Sequence, residues 1–274
     1  MNSKHLISII MPAYNSEKYI GDSIRSVLNQ SYHNWELLTI NDGSTDGTKN
    51  EIFNYTDDRI IYLEQIHQGV SSARNTGLSH MTGDFFCFLD SDDILPNGSL
   101  MSRLKVFYKH PNISFVDGKV IHKNIFMNIT LHEYTPKFIG YPFHELIKIS
   151  NKCFFGNTWM IKRVKGCNYF FNENMTHAED ICFYISISEN REYNYTSDVV
   201  LYYRDSTDSA MTDFSGLEEG YKCLFLFVKN LKSTNYINII YLKYRIIRIM
   251  FLSYLFDKND PLKAFGLIIK YLFL

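Results

Sequence analysis

Among the 274 residues there are only five cysteines, Cys87, Cys153, Cys167, Cys182 and Cys223, with no Cys-x-x-Cys pair and no histidine at metal-ligand spacing. They read as reduced core residues rather than as disulfides or zinc ligands. A secretory leader is missing as well: Leu6 to Met11 is short, carries Ser8 and is followed by no small-residue cleavage site, so a cytoplasmic location is expected. Charge of one sign is also lacking. The net charge is −1, which argues against a general nucleic-acid binder. No apolar run attains the roughly 18–20 uncharged residues of a membrane span, and neither an internal repeat nor a low-complexity linker divides the chain. Hydrophobic residues, by contrast, make up 46% of the total, enough for an ordinary buried core without staples.

The charge is unevenly placed. From Phe214 onward nine Lys or Arg stand against four acids, an excess of five that leaves −6 for the rest, so the two parts are expected to meet different surroundings. The first ninety residues alternate strand and helix signals. Leu6 to Met11, Trp35 to Ile40, Ile60 to Leu63 and Asp84 to Leu89 read as strands; Glu17 to Gln30, Lys49 to Tyr55 and Val70 to Met81 read as helices. Three strand-loop-helix units imply a mostly parallel, right-handed doubly wound sheet. Farther on, the pattern predicts a helix over Leu100 to Tyr108, two short strands around Asp117-Gly118, a helix at Asp180 to Glu189 and a strand at Val199 to Tyr203. A helical tail follows from Leu217 to Leu274, interrupted near Asp257 to Pro261.

Every chemically distinctive segment follows a predicted strand. Phe88-Leu89 runs into Asp90-Ser91-Asp92-Asp93, a concentration of carboxylates that suits Mg²⁺ or Mn²⁺ bridging to a substrate's phosphates, or else a turn that caps the next helix. Pro12-Ala13-Tyr14-Asn15 follows the first strand and Asn41-Asp42-Gly43-Ser44 the second. Asp42 can accept a hydrogen bond from a base or form the turn beside Gly43; Tyr14 can stack on a base or fill the core. In a parallel sheet these loops meet at one edge, where ligands bind.

Together the segments resemble the inverting glycosyltransferases of family 2, which have the GT-A fold. The matching stretches are Ser8 to Asn15 with Glu17, Asn41 to Thr48, Gly69 to Gly77 and Phe88 to Asp93, with Phe171 to Asp180 and Tyr202-Tyr203-Arg204 farther on. The resemblance implies a Rossmann-like, mostly parallel α/β sheet with a C-terminal helical tail. It implies a catalytic domain over 1–213, with a nucleotide-sugar half 1–95 and an acceptor half 96–213, and a helical region over 214–274. Pro12, Ala13, Tyr14, Asn15, Glu17, Asp42, Gly69, Arg74, Asp90, Ser91 and Asp92 would bind the donor, with Asp42 on the base and Asp90 nearer the ribose. Asp92, with Asp90, would hold Mn²⁺ or Mg²⁺. Asp180, beside Glu179, would deprotonate the acceptor hydroxyl. Trp159, His177 and Arg204 would face the acceptor, a saccharide or lipid-linked saccharide of cell-surface glycan synthesis, and the donor would be a UDP-sugar. One position departs from the pattern: His67 stands where many relatives have Asn.

Alternatives remain at this stage. Glu179-Asp180 also suits a first helical turn, and Trp159 also suits a core. A sugar nucleotidyltransferase shares an α/β core with acidic metal ligands, but Pro12 to Glu17 is neither glycine-rich nor basic. An inactive scaffold would not need Asp42, Asp90, Asp92 and Asp180 together. The basic, aromatic tail can lie on the inner face of an anionic membrane, pack on the catalytic domain or form a homodimer interface.

Overall fold

The structure, a computed structural model, describes residues 5–205 and 213–272. Strands β1 (Ile7–Ala13) and β2 (Trp35–Asp42) are buried at every position, as befits strands covered on both faces. With β3 (Ile60–Gln65) and β4 (Phe85–Phe88) they form a parallel array in the order β3-β2-β1-β4. Helices α1 (Ile20–Leu28), α2 (Thr48–Phe53) and α3 (Val70–His80) make the crossovers. α3 approaches the sheet so closely that a Cβ on Gly77 would fall 2.4 Å from Ile10 Cγ2, which accounts for a glycine inside a helix. Side chains of β1 alternate, Ile7, Ile9 and Met11 entering one hydrophobic core and Ile10 the other, on opposite faces of the sheet.

Beyond β4 the strand-helix alternation of the first ninety residues gives way to a mixed sheet. The chain continues through α4 (Ser99–Lys109), β5 (Phe115–Lys123), β6 (Thr130–Tyr134), α5 (Phe143–Ile147), β7 (Met160–Lys162), α6 (Glu179–Ser188) and β8 (Tyr193–Arg204). β7 is inserted antiparallel between β4 and β5, β6 pairs antiparallel with β5, and β8 pairs parallel with β5. The two strands predicted around Asp117-Gly118 are one strand with an irregular register. Asp117 is buried and accepts from Gly118 N and Tyr193 Oη, while a Cβ on Gly118 would meet Val200 Cγ1 at 2.3 Å. Cross-strand crowding, not a turn, explains this glycine.

The tail forms α7 (Phe214–Lys229), α8 (Tyr236–Leu252), a π-helical turn at Ser253–Asp257 and α9 (Pro261–Leu272); its last two residues lie outside the described ones. Besides the expected interruption near Asp257 there is one after Lys229, where the Asn235 side chain caps α8 by accepting from Asn238 N. One face of the tail is core: Leu217, Leu224, Val228, Leu242, Ile246 and Met250 join Ile181, Phe183 and Tyr184. No helix among the described residues is long and apolar enough to cross a membrane.

Candidate active site

The parallel strands deliver their loops to a cleft of about 870 Å³ at the carboxyl edge of the sheet. Pro12, Ala13, Tyr14, Asn15, Asp42, Arg74, Asp90, Ser91, Asp92, His177, Glu179 and Asp180 all line it. Glu17 and Gly69 stand outside and act on the loops. Glu17 Oε2 accepts from Gly47 N at 3.0 Å, and Asn15 Oδ1 accepts from Thr45 N at 2.9 Å, tying the loops after β1 and β2 together.

The Asp90 to Asp93 turn is held from below. Ser23 Oγ reaches Ser91 O at 2.9 Å and Asp93 O at 2.7 Å, and the Ser16 and Ser91 hydroxyls are 2.7 Å apart. Arg204, expected on the acceptor side, is instead a buried brace. Its Nε donates to Asp92 O at 2.7 Å, its backbone N to Asp93 Oδ1 at 2.8 Å, and a terminal nitrogen pairs with Asp22 at 3.1 Å. Asp93 is fully buried, so it is a structural post rather than a turn residue facing solvent. Asp90 pairs with Arg74 at 3.0 Å. The half-buried Asp92 carboxylate receives no hydrogen bond from another residue among those described, and burial with the neighbouring Asp90 charge pushes it up to about 6.

Across the cleft, α6 begins at Ala178, whose φ of 58° is the left-handed conformation unusual for alanine. This turn presents Glu179 and Asp180. Arg74, only 5% exposed, joins the two walls by donating to Asp90 Oδ1 and, at 3.1 Å, to Glu179 Oε1. Asp180 accepts from Ile181 N at 2.6 Å. Burial and the adjacent Glu179 raise it to about 7, against the opposing pull of that hydrogen bond and of Arg74. A carboxylate poised near neutrality inside a cleft can act as a general base. His177 supports the turn from behind: Cβ atoms on Gly216 and Gly220 of α7 would lie 2.3 Å from His177 Cε1 and 2.5 Å from His177 O.

Asp42, expected on the base, lines the cleft but is held by the protein's own donors. It is 2% exposed. Its Oδ1 accepts from Gln65 Nε2 at 2.7 Å and Gln68 N at 2.9 Å, and its Oδ2 from Gly69 N at 2.8 Å, while His67 Nδ1 lies 2.9 Å from Oδ2 and is hydrogen-bonded to Asp42 O at 3.1 Å. Asp42 thus caps the start of α3, where a carboxylate is favoured. Trp159 is another correction. It is fully buried and donates from Nε1 to Cys153 O at 2.9 Å, leaving no ring face for a sugar.

Several cleft residues escaped the sequence reading. Ser16 and Ser23 anchor the carboxylate turn; a serine on the buried face of α1 was the available signal. His122, Phe155 and Tyr203 form an aromatic wall, with His122 4.9 Å in ring separation from each of the others. Burial, with His132 adding to it, lowers the pKa of His122. They come from separate segments of the second half, and no local signal unites them.

Comparison with known proteins agrees with this architecture. The family model for glycosyl transferase family 2 matches residues 8–165. An Escherichia coli protein named UDP-Glc:alpha-D-GlcNAc-diphosphoundecaprenol beta-1,3-glucosyltransferase WfgD is 44% identical over 123 residues, 44% of this chain and 48% of that protein. The putative teichuronic acid biosynthesis glycosyltransferase TuaG of Bacillus subtilis is 42% identical over 108 residues, 38% of this chain and 42% of that one. The chain therefore spans about half the length of these curated relatives. Among solved structures, S. aureus TarS 1-349 in complex with UDP-GlcNAc superposes with a TM-score of 0.70 at 19% identity, covering 91% of this chain and 73% of that one. The mannosyltransferase PcManGT from Pyrobaculum calidifontis, in complex with GDP-Man and Mn²⁺, gives 0.64 at 16%, covering 97% and 79%. These likenesses establish the same mostly parallel GT-A sheet flanked by helices. With more than half of its length matched by the family model and the loops after its parallel strands gathered at one sheet edge, the chain belongs to glycosyl transferase family 2.

Proposed function

We propose that the chain is an inverting glycosyltransferase that moves one sugar from a nucleotide donor, of the UDP-sugar class, to a saccharide or lipid-linked saccharide acceptor of the cell surface. The carrying observation is the pairing of the two carboxylate walls through Arg74: Asp90 and Asp92 on one side, Glu179 and Asp180 on the other. The WfgD and TarS names supply the substrate class. Tyr14 and Asp42 would seat the base, and the Asp90 to Asp92 turn the ribose and diphosphate. Asp180 would take the proton from the acceptor hydroxyl as its oxygen attacks the anomeric carbon from the face opposite the departing nucleoside diphosphate. A single displacement inverts the configuration. Glu179, bonded to Arg74, would orient the turn rather than exchange protons.

The residues present fit a divalent cation. Asp92 is an oxygen ligand with no hydrogen-bond partner on another residue among those described, and it lines the cleft of about 870 Å³. No cluster of three or more His, Cys, Asp or Glu forms a ready cage among the described residues, so Asp92, with Asp90, would share the ion with the donor's phosphates, as is usual for Mg²⁺. When bound it would neutralise charge on the departing diphosphate. Nucleotide release measured with a panel of sugar nucleotides, with and without Mn²⁺, tests the reading. Turnover of one UDP-sugar that requires the metal is expected; hydrolysis or transfer with none of them overturns the function, and metal-independent turnover overturns the role of Asp92.

The outer face of the tail fits the membrane side of such chemistry. Tyr236, Ile237, Ile240, Tyr241 and Tyr244 of α8 are exposed, and the Phe251 and Phe265 rings, 5.4 Å apart, extend the face to α9. α8 carries Lys243, Arg245 and Arg248 and no acid, and α9 has none either. Two copies packed face to face would oppose like charges, whereas an anionic bilayer accepts both the cations and the aromatic rings. The chain should co-sediment with anionic vesicles and not with zwitterionic ones. Equal recovery in both supernatants would overturn this contact.

A further inference from the structure

We propose that the His67 imidazole is a built-in stand-in for the donor's base, which has to leave its seat before a nucleotide can occupy it. This rests on the reading that Tyr14 and Asp42 form the base site. The His67 ring stacks on Tyr14 with centroids 4.0 Å apart and planes 23° from parallel. Its Nδ1 lies 2.9 Å from Asp42 Oδ2 and 3.1 Å from Asp42 O. Both partners are acceptors, so Nδ1 carries the proton and donates. A planar heterocycle stacked on an aromatic ring, with one N–H against a buried carboxylate and the carbonyl of the same residue, is what a uracil would present at the same place.

The surroundings make the exchange selective. Asp42 has its other three acceptor positions filled by Gln65 Nε2, Gln68 N and Gly69 N, groups that cap α3 and hold the loop. The one position that can be vacated without dismantling the turn is the one taken by His67, whose side chain is 52% exposed. Its backbone is fixed: Gly43, at φ 67°, brings the turn so near that a Cβ there would fall 2.7 Å from His67 N. Rotation about the side-chain bonds is therefore the available movement. When His67 swings outward, one Asp42 lone pair and one face of Tyr14 become free together. Base binding exchanges one stack and one hydrogen bond for another of the same kind, so the intramolecular competitor lowers the apparent affinity by the fraction of molecules in which it is seated.

Isothermal titration of the full chain with uridine and with UDP tests this. In His67→Ala both ligands should bind about threefold to tenfold more tightly, the range set by losing one stacked competitor, and the gain should be the same for the two because it resides in the base. In the unsubstituted chain, the His67 ring resonances should move on addition of uridine alone. Unchanged or weaker uridine binding in His67→Ala overturns the inference, as does a loss confined to UDP, which would make His67 a phosphate contact. Tyr14→Ala and Asp42→Asn separate the two levels. If neither weakens uridine binding, the base-site reading fails; if both do while His67→Ala brings no gain, only the stand-in role fails. Thermal denaturation of each variant identifies any that does not fold, and His67→Asn, which cannot stack as an aromatic ring, provides the second substitution.

Discussion

Asp42 and Asp180 are both aspartates beside the start of a helix and both border the same cleft, yet the Asp42 carboxylate accepts three hydrogen bonds and that of Asp180 one. The first belongs to the wall built by β1 to β4, at the turn after β2, where the main-chain N–H groups of Gln68 and Gly69 and the Gln65 side chain surround it. The second belongs to the wall assembled from α6 and α7, where a left-handed alanine turn pushes a carboxylate into a cavity with few donors. Burial among donors makes a structural anion; burial without them makes a group that competes for a proton. Under the proposed function, the second wall would serve proton transfer and the first would position the ligand.

The comparison is broken most directly at Asp180. Asp180→Asn should lower kcat on the order of 10²–10⁴-fold while nucleotide affinity, read by titration, stays near its starting value; retained turnover would remove the distinction between the walls. Arg74→Met attacks both at once, since it leaves Asp90 and Glu179 without their shared cation. Urea unfolding should show a loss of roughly 3–5 kcal/mol, toward the lower end because Asp90 is over a third exposed. Gly220→Val is a smaller and more local disturbance. It should cost about 1–3 kcal/mol by overpacking and, by displacing the His177 to Asp180 turn, reduce kcat more than nucleotide binding.

A pH series sharpens the contrast without altering the contacts. Asp180 titrates near 7 instead of near its ordinary 3.8, so kcat should rise through about pH 7 and level off above it. The same shift has the opposite sign for stability. Between about pH 4 and 7 the unfolded chain releases a proton that the folded state keeps, so unfolding free energy falls across that window and is flat above it. Both trends should be lost in Asp180→Asn, with the kinetic one read on its residual activity.

Much of the first wall was legible in the chain itself. Local rules sufficed there: apolar strands, glycine and aspartate turns, and amphipathic helices locate β1 to β4 and their loops to within a few residues. Asp90, Asp92 and Arg74 stand out from their motifs alone. The second wall was not legible in the same way. β5 runs straight through Asp117-Gly118, a pair with turn chemistry, because β8 and a buried hydrogen bond override local preference. Trp159 and Arg204 seemed to suit the cleft by residue type, and both are sequestered: one fills the core, the other braces Asp92 and Asp93 from 112 and 111 positions away.

What the sequence determined alone is the succession of parallel strands and helices in the first ninety residues, the edge where their loops gather and the identity of the carboxylates brought there, since each depends on periodicity and on turns a few residues long. Tertiary structure decided what each carboxylate is able to do. Donors to Asp42 come from residues 23 to 27 positions on, and the cation between Asp90 and Glu179 joins segments 105 positions apart. Ionisation and ligand access depend on the donors, charges and solvent around a group, and those are set by packing between distant parts of the chain.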